Sequence, residues 1–263
     1  MDWETYSSEV GAVALEELDP EQLEVRRSML ETDPPRHRDL RNICNKRFTV
    51  RGLQPYEDFI REIARGVLDR AFAKGEFDFV MEIAKELPIR FLCAIFEVPQ
   101  DDAPMLIDWG DAMIGNQDPE YSAAVVDQVD TEAFRLLPFR SPIARDVFAY
   151  GRRQRDLRLE EPQDDVINAL TIAQQEGILT ERDYDNYFSL LMIAGNETTS
   201  AAVLADTSVT YDRQVTFDSI APVVTLQQAA AQVDPSNSAT IRFRFTSSGE
   251  RGTAMSISCG SHS

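Results

Sequence analysis

Positive charge is what this 263-residue sequence has least of relative to its opposite. Its 26 Lys and Arg face 45 Asp and Glu, a formal charge of −19 with a pI near 4.5. That balance argues against nucleic acid or an anionic membrane surface as a partner, because both would repel the chain. Cysteine is scarce as well. Cys44, Cys93 and Cys259 are odd in number, scattered and without metal-type spacing. Such a set reads as reduced thiols in a cytoplasmic protein, not as a disulfide framework or a metal centre. No apolar run reaches the length of a membrane span. The opening MDWETYSSEV is acidic and lacks the apolar stretch of a signal peptide. The chain has no internal repeat. The length suits one large domain or two ordinary ones, and 43% hydrophobic residues are enough to bury a core.

Composition changes abruptly near residue 206. Residues 206–263 hold 17 Ser or Thr in 58 positions, against 15 in the first 205, and carry a net charge of only −1. A boundary is therefore expected there, with 1–205 and 206–263 as separate regions.

The first region reads as helices. In DPPRHRDLRNICNKRF, Asp33 is placed to cap a helix that has Pro34 and Pro35 in its first turn. YEDFIREIARGVLDRAFAKG aligns Phe59, Ile63, Val67 and Leu68 on one stripe and stops at Gly75. Further helices are expected in LPIRFLCAIFEVP, DDAPMLIDWGDAMIG, SPIARDVFAYGRRQRDLRL and DDVINALTIAQQEG. The last helix opens at Thr180, with Asp183 completing an approximate capping box. Its stripe runs Tyr184, Tyr187, Phe188, Leu191, Ala194, Gly195 and Thr198, so Gly195 and Thr198 are expected to continue the apolar face. The second region reads as strands. TIRFRFT alternates Ile241, Phe243 and Phe245 with Arg242 and Arg244, AMSISC alternates Met255, Ile257 and Cys259, and SVTYDRQVTFD suggests one or two shorter strands.

Two stretches carry chemistry. LLMIAGNETTS sets Gly195, Asn196, Glu197 and Thr198 into an apolar helix. A missing side chain lets a flat ligand approach the backbone, and an acid beside a Thr hydroxyl can pass protons inward. The competing reading is a packing glycine with hydroxyls bonded back to their own turn. In DPPRHRDLR, His37 and Arg41 share a helix face near its positive end. They are either an anion-binding pair, with Arg41 as a two-pronged donor, or a solvated surface pair.

Together these stretches resemble the bacterial cytochromes P-450, the haem-thiolate monooxygenases. DPPRHRDLRNICNKRFT resembles the family's C helix, AGNETT its I helix, and DDVINALTIAQQEGILTERDY the stretch preceding the I helix. WGDAMIGNQDPEY is closest to the groups that hydroxylate steroid side chains and terpenoids. The resemblance implies a mainly α fold, a partial P-450 running from C to I helix, followed by a short C-terminal β segment. It also implies haem as cofactor, an apolar small-molecule substrate and a ferredoxin-type redox partner. Residue by residue, His37 and Arg41 would bind a haem propionate. Ala194 and Gly195 would form the groove over the haem, and Glu197 and Thr198 would be the proton-delivering acid and alcohol. Residues 6–18 would cap the substrate pocket, and 115–142 would be a mobile lid.

The resemblance covers about the middle half of such an enzyme. The family's F-x-x-G-x-x-x-C loop, which supplies the iron's thiolate, has no match after Thr199, because Cys259 lies in SISCGSHS without the preceding Phe and Gly. No metal-ligating residue is therefore assigned. The E-x-x-R element is missing after the I helix too. EVRR at 24–27, EIAR at 62–65 and EAFR at 132–135 all precede it. The family's first strands and helices are also absent. On this reading the 263 residues are a truncated or fused enzyme without activity of their own. The tail, through VTFDSIAPVVTLQQAAAQVDPSNSATIRFRFT, resembles bacterial immunoglobulin-like repeats. Such a sandwich takes about 100 residues, so the tail holds roughly half of one.

Overall fold

A computed structural model describes residues 3–10, 18–122 and 130–206, together with five short strands in 214–258. Side chains are described up to Asn196. The helices are α1 (Pro20–Arg26), α2 (Arg36–Asn45), α3 (Val50–Leu53), α4 (Glu57–Ala73), α5 (Glu86–Ile95), α6 (Ala103–Ile114), α7 (Ala144–Glu160), α8 (Val166–Gln175) and α9 (Glu181–Asp206). Among the described residues, no helix is long and apolar enough to cross a membrane. The chain divides into two compact units, 1–60 with 89–197, and 61–88 with 198–263.

The first unit holds the larger core. An aromatic series runs through it: Trp109 of α6 meets Tyr150 of α7 edge-on at 5.7 Å, Tyr150 lies 6.2 Å from Phe188 of α9, and Phe188 lies 5.5 Å from Phe96 just past α5. Phe96, Tyr150 and Phe188 are buried, and each such side chain contributes about 1.5–3 kcal/mol by leaving water. Tyr150 donates its hydroxyl proton to Asp102 at 2.7 Å. Burial pushes the Tyr150 pKa far above its ordinary value, and the hydrogen bond to Asp102 adds to the shift. α8 packs on both α2 and α7.

The second unit contains a small apolar cluster of Val67, Ala71, Phe77 and Ile83, with Phe72 and Phe77 edge to face at 5.8 Å. Gly75, at φ +78°, makes the left-handed exit after α4 that the sequence pattern marks. Val80–Ala84 forms a π-helical turn. The strands are β1 (Gln214–Val215), paired with β2 (Val224–Thr225), and an antiparallel sheet in the order β3 (Gln227–Gln228), β4 (Thr240–Arg244), β5 (Ala254–Ser258). The register of β4 and β5 sets Ile241 opposite Ile257 and Phe243 opposite Met255, pairs suited to cross-strand packing. Phe245 and Cys259 lie outside the described residues.

The expected helices form, and Thr180 and Asp183 complete their box. Asp183 N–H donates to the Thr180 hydroxyl at 3.1 Å, while Thr180 N–H donates to the Asp183 carboxylate at 2.9 Å. The cap expected at Asp33 does not form. α2 starts at Arg36, after Pro35, with no side-chain cap. Asp33 instead accepts from the Ser7 hydroxyl at 2.5 Å and from Ser8 N–H at 3.0 Å. These bonds hold its carboxyl below the usual carboxylate range, and the nearby His37 charge adds to the effect. A segment 25 residues upstream thus takes the oxygens that local chemistry assigned to the helix.

Candidate functional site

The site is built on α2 and α9. Leu40 and Cys44 turn the buried side of α2 inward, and Tyr187 of α9 seats it by donating its hydroxyl proton to Leu40 O at 2.9 Å. Beside that seam, on the i, i+4 face, lie half-buried His37 and exposed Arg41. Arg41 is close enough for its charge to act on the Tyr187 hydroxyl. Two other arginines around α2 are engaged. Arg36 pairs with Asp183 at 3.6 Å, and Arg47 with Asp164 at 2.7 Å. Among the described residues, the His37 and Arg41 side chains make no hydrogen bond or ion pair. In a strongly acidic chain, an arginine and a histidine on one helix face offer hydrogen-bond donors to an anionic group such as a carboxylate.

Along α9 the buried residues Tyr184, Tyr187 and Phe188 bear out the start of the apolar stripe. About 12 Å further on, eight residues at the helical rise, Met192, Ile193 and Asn196 face the core, whereas Gly195 is half-buried and Ala194 exposed. The stripe therefore opens toward solvent at Ala194, where the helix directs its inner side toward α5. A Cβ added at Gly195 would lie 3.1 Å from Leu92 Cδ1, so Gly195 also serves close packing of α9 on α5. Both readings of this glycine keep an observation in their favour. Glu197 and Thr198 continue the helix, and their side chains lie outside the described residues.

An axial thiolate does not fit the described cysteines. Burial raises the Cys44 thiol to about 11, outweighing the lowering by the nearby Tyr187 hydroxyl and the Arg47 charge, and a thiolate is the form that ligates a metal. Cys93 is fully buried within α5. Among the described residues, no cluster of His, Cys, Asp or Glu could hold a metal ion.

No family model matches the chain. The steroid C26-monooxygenase of Mycobacterium tuberculosis (strain ATCC 25618 / H37Rv) is 31% identical over 185 residues, which cover 70% of this chain and 40% of that protein. A Mycobacterium marinum cytochrome P450 solved in complex with pseudoionone is similar at a TM-score of 0.63 and 32% identity, covering 75% of this chain and 46% of its own. The helical part of the chain is a partial cytochrome P-450 fold. Other P-450s agree. The methyl-branched lipid omega-hydroxylase of the same M. tuberculosis strain is 28% identical over 195 residues, covering 73% of this chain and 43% of that protein. A Bacillus megaterium P-450 solved with testosterone has a TM-score of 0.55 at 25% identity, covering 69% of this chain and 47% of its own. The chain spans less than half the length of these curated relatives.

Pattern reading missed the buried pair of Arg158 and Asp165, and Arg135. Asp165 had one legible signal, its place just before the apolar run VINAL, where it caps α8 by accepting from Asn168 N–H at 2.6 Å. Arg158 and Arg135 had none, because the Phe96 and Glu97 carbonyls and the Asp19 and Glu21 carboxylates that hold them lie far away in sequence.

Proposed function

We propose that the helical part descends from a haem-dependent monooxygenase acting on an apolar substrate of steroid or lipid type. The observation that carries this reading is the 31% identity to a steroid C26-monooxygenase over 185 residues. Bound haem would supply the activation of dioxygen. In this reading His37 and Arg41 bind a haem propionate, Tyr187 holds α2 in place for them, and Ala194 and Gly195 present an open helix face to the flat ring. Glu197 and Thr198 supply the proton path, a ferredoxin-type protein the electrons, and the cytoplasm is the setting.

The same reading makes these 263 residues inactive by themselves, since neither described cysteine suits the iron and the Cys loop and E-x-x-R element have no match. Haem titration of the purified chain, followed by reduction under carbon monoxide, tests both parts. Weak binding without a thiolate-type Soret band is expected, and a thiolate band would overturn the inactivity. Charge-assisted hydrogen bonds contribute about 1.5–3 kcal/mol each. Substituting both His37→Ala and Arg41→Ala should therefore weaken haem binding at least roughly tenfold. Unchanged affinity would remove the propionate role.

The tail has its own observation, the compositional break at 206 followed by antiparallel pairing of β3, β4 and β5. We propose that it is a partial immunoglobulin-like module of separate origin, joined by fusion, frameshift or an assembly artefact. Re-sequencing the source DNA across codons 195–215 tests the junction: an uninterrupted native frame would rule out the artefact.

A further inference from the structure

EAFR at 132–135, left over as an unplaced match to E-x-x-R, has a structural use. Arg135 gathers three carboxylates. Its Nη1 donates to Asp19 at 3.0 Å, its Nε pairs with Glu132 at 2.9 Å, and its Nη2 pairs with Glu21. Its carbonyl collects three donors from α1: Gln22 Nε2 at 3.2 Å, Arg26 Nε at 3.1 Å and Arg26 Nη2 at 2.8 Å. One residue of the 131–137 turn thus grips α1 from both its main chain and its side chain.

The grip is joined to the cap of α1. Asp19 and Gln22 form a reciprocal capping box, in which Gln22 N–H donates to Asp19 Oδ1 at 2.9 Å and Asp19 N–H donates to Gln22 Oε1 at 3.0 Å. The other oxygen of Asp19 takes Arg135, and the amide nitrogen of Gln22 reaches the Arg135 carbonyl. A seven-residue helix is too short to persist in water by itself. On the far side of the turn, Arg145 of α7 stacks over Phe134 at 5.3 Å, which ties the turn to a long helix. The carboxylate partners are largely exposed, so salt weakens their pull.

We propose that Arg135 is a salt-sensitive latch coupling the folding of α1 to the docking of the 131–137 turn, so that both segments order and release together. The inference stands whether or not haem binds. Hydrogen exchange on the full chain, followed by mass spectrometry, tests it. In Arg135→Gln, residues 19–26 and 131–137 should both exchange about fivefold faster, the upper range for losing exposed ion pairs, while α8 is unchanged. The wild-type chain in about 1 M salt should shift in the same two segments. The double variant Glu21→Gln with Glu132→Gln, which leaves the Asp19 cap in place, should repeat the pattern more weakly. Acceleration confined to 131–137, or spread equally through α8, would overturn the coupling. If Arg135→Gln does not fold, the wild-type salt response still decides: no joint acceleration refutes the latch.

Discussion

Asp165→Ala is expected to cost about 3–5 kcal/mol, because it leaves a buried arginine without its counter-charge. Asp165 is fully buried and Arg158 nearly so. Arg158 Nε donates to Asp165 Oδ2 at 2.8 Å, and Nη1 donates to the Gln154 side chain at 2.8 Å. Nη2 reaches the carbonyls of Phe96 at 2.7 Å and Glu97 at 3.0 Å. Those carbonyls follow the end of α5, where helix geometry leaves acceptors unmet and a cation is favoured. Glu97, at φ +48°, turns the chain there. Asp165 also caps α8, so the substitution removes a cap as well as a charge. Replacing both members by apolar residues would not restore stability, since the Phe96 and Glu97 carbonyls would lose their donor. The loss is a large share of a typical domain's stability of about 5–15 kcal/mol. Urea unfolding measures it; a loss below about 1 kcal/mol, the range of a surface pair, would refute the role assigned to this cluster.

Gly151→Ala and Gly195→Ala are expected to diverge, although both place Ala in a helix, where it gains about 1 kcal/mol over Gly. At Gly151 the new Cβ would lie 2.7 Å from Cδ1 and 2.9 Å from Cγ of Phe188. That ring is fully buried between Phe96 and Tyr150. Nearby, Tyr184 donates its hydroxyl proton to Gly151 O at 2.9 Å, holding α7 and α9 at this spacing. A net loss of about 1–3 kcal/mol is expected from overpacking. At Gly195 the new Cβ meets only the end of Leu92 at 3.1 Å, a flexible tip that can move. That change should stay within about 1 kcal/mol of neutral. Thermal unfolding of the two variants compares them directly. Equal losses would mean that Gly195 is as constrained by packing as Gly151. Neutral stability with weakened haem binding in Gly195→Ala would favour the open-face role.

Local rules were enough for much of this protein. The stripe of α4, the stop at Gly75, the box of Thr180 and Asp183, and the pairing of His37 with Arg41 on one face depend on residues within one or two turns of each other. Spacing and side-chain chemistry settle such features before any tertiary contact forms. The partial P-450 fold was legible for the same reason, through short motifs at matching separations. Tertiary structure decided what local chemistry left open. Asp33 had the right chemistry and place for a cap, but Ser7 and Ser8 reached its oxygens. Ala194 belonged to an apolar stripe, yet exposure depended on which side of α9 faces α5. Only the fold brought to Arg158 the carbonyls at 96 and 97, and to Arg135 the carboxylates at 19 and 21. A sequence window shows which groups need partners; when the partner lies tens of residues away, only the folded chain shows which one is in reach.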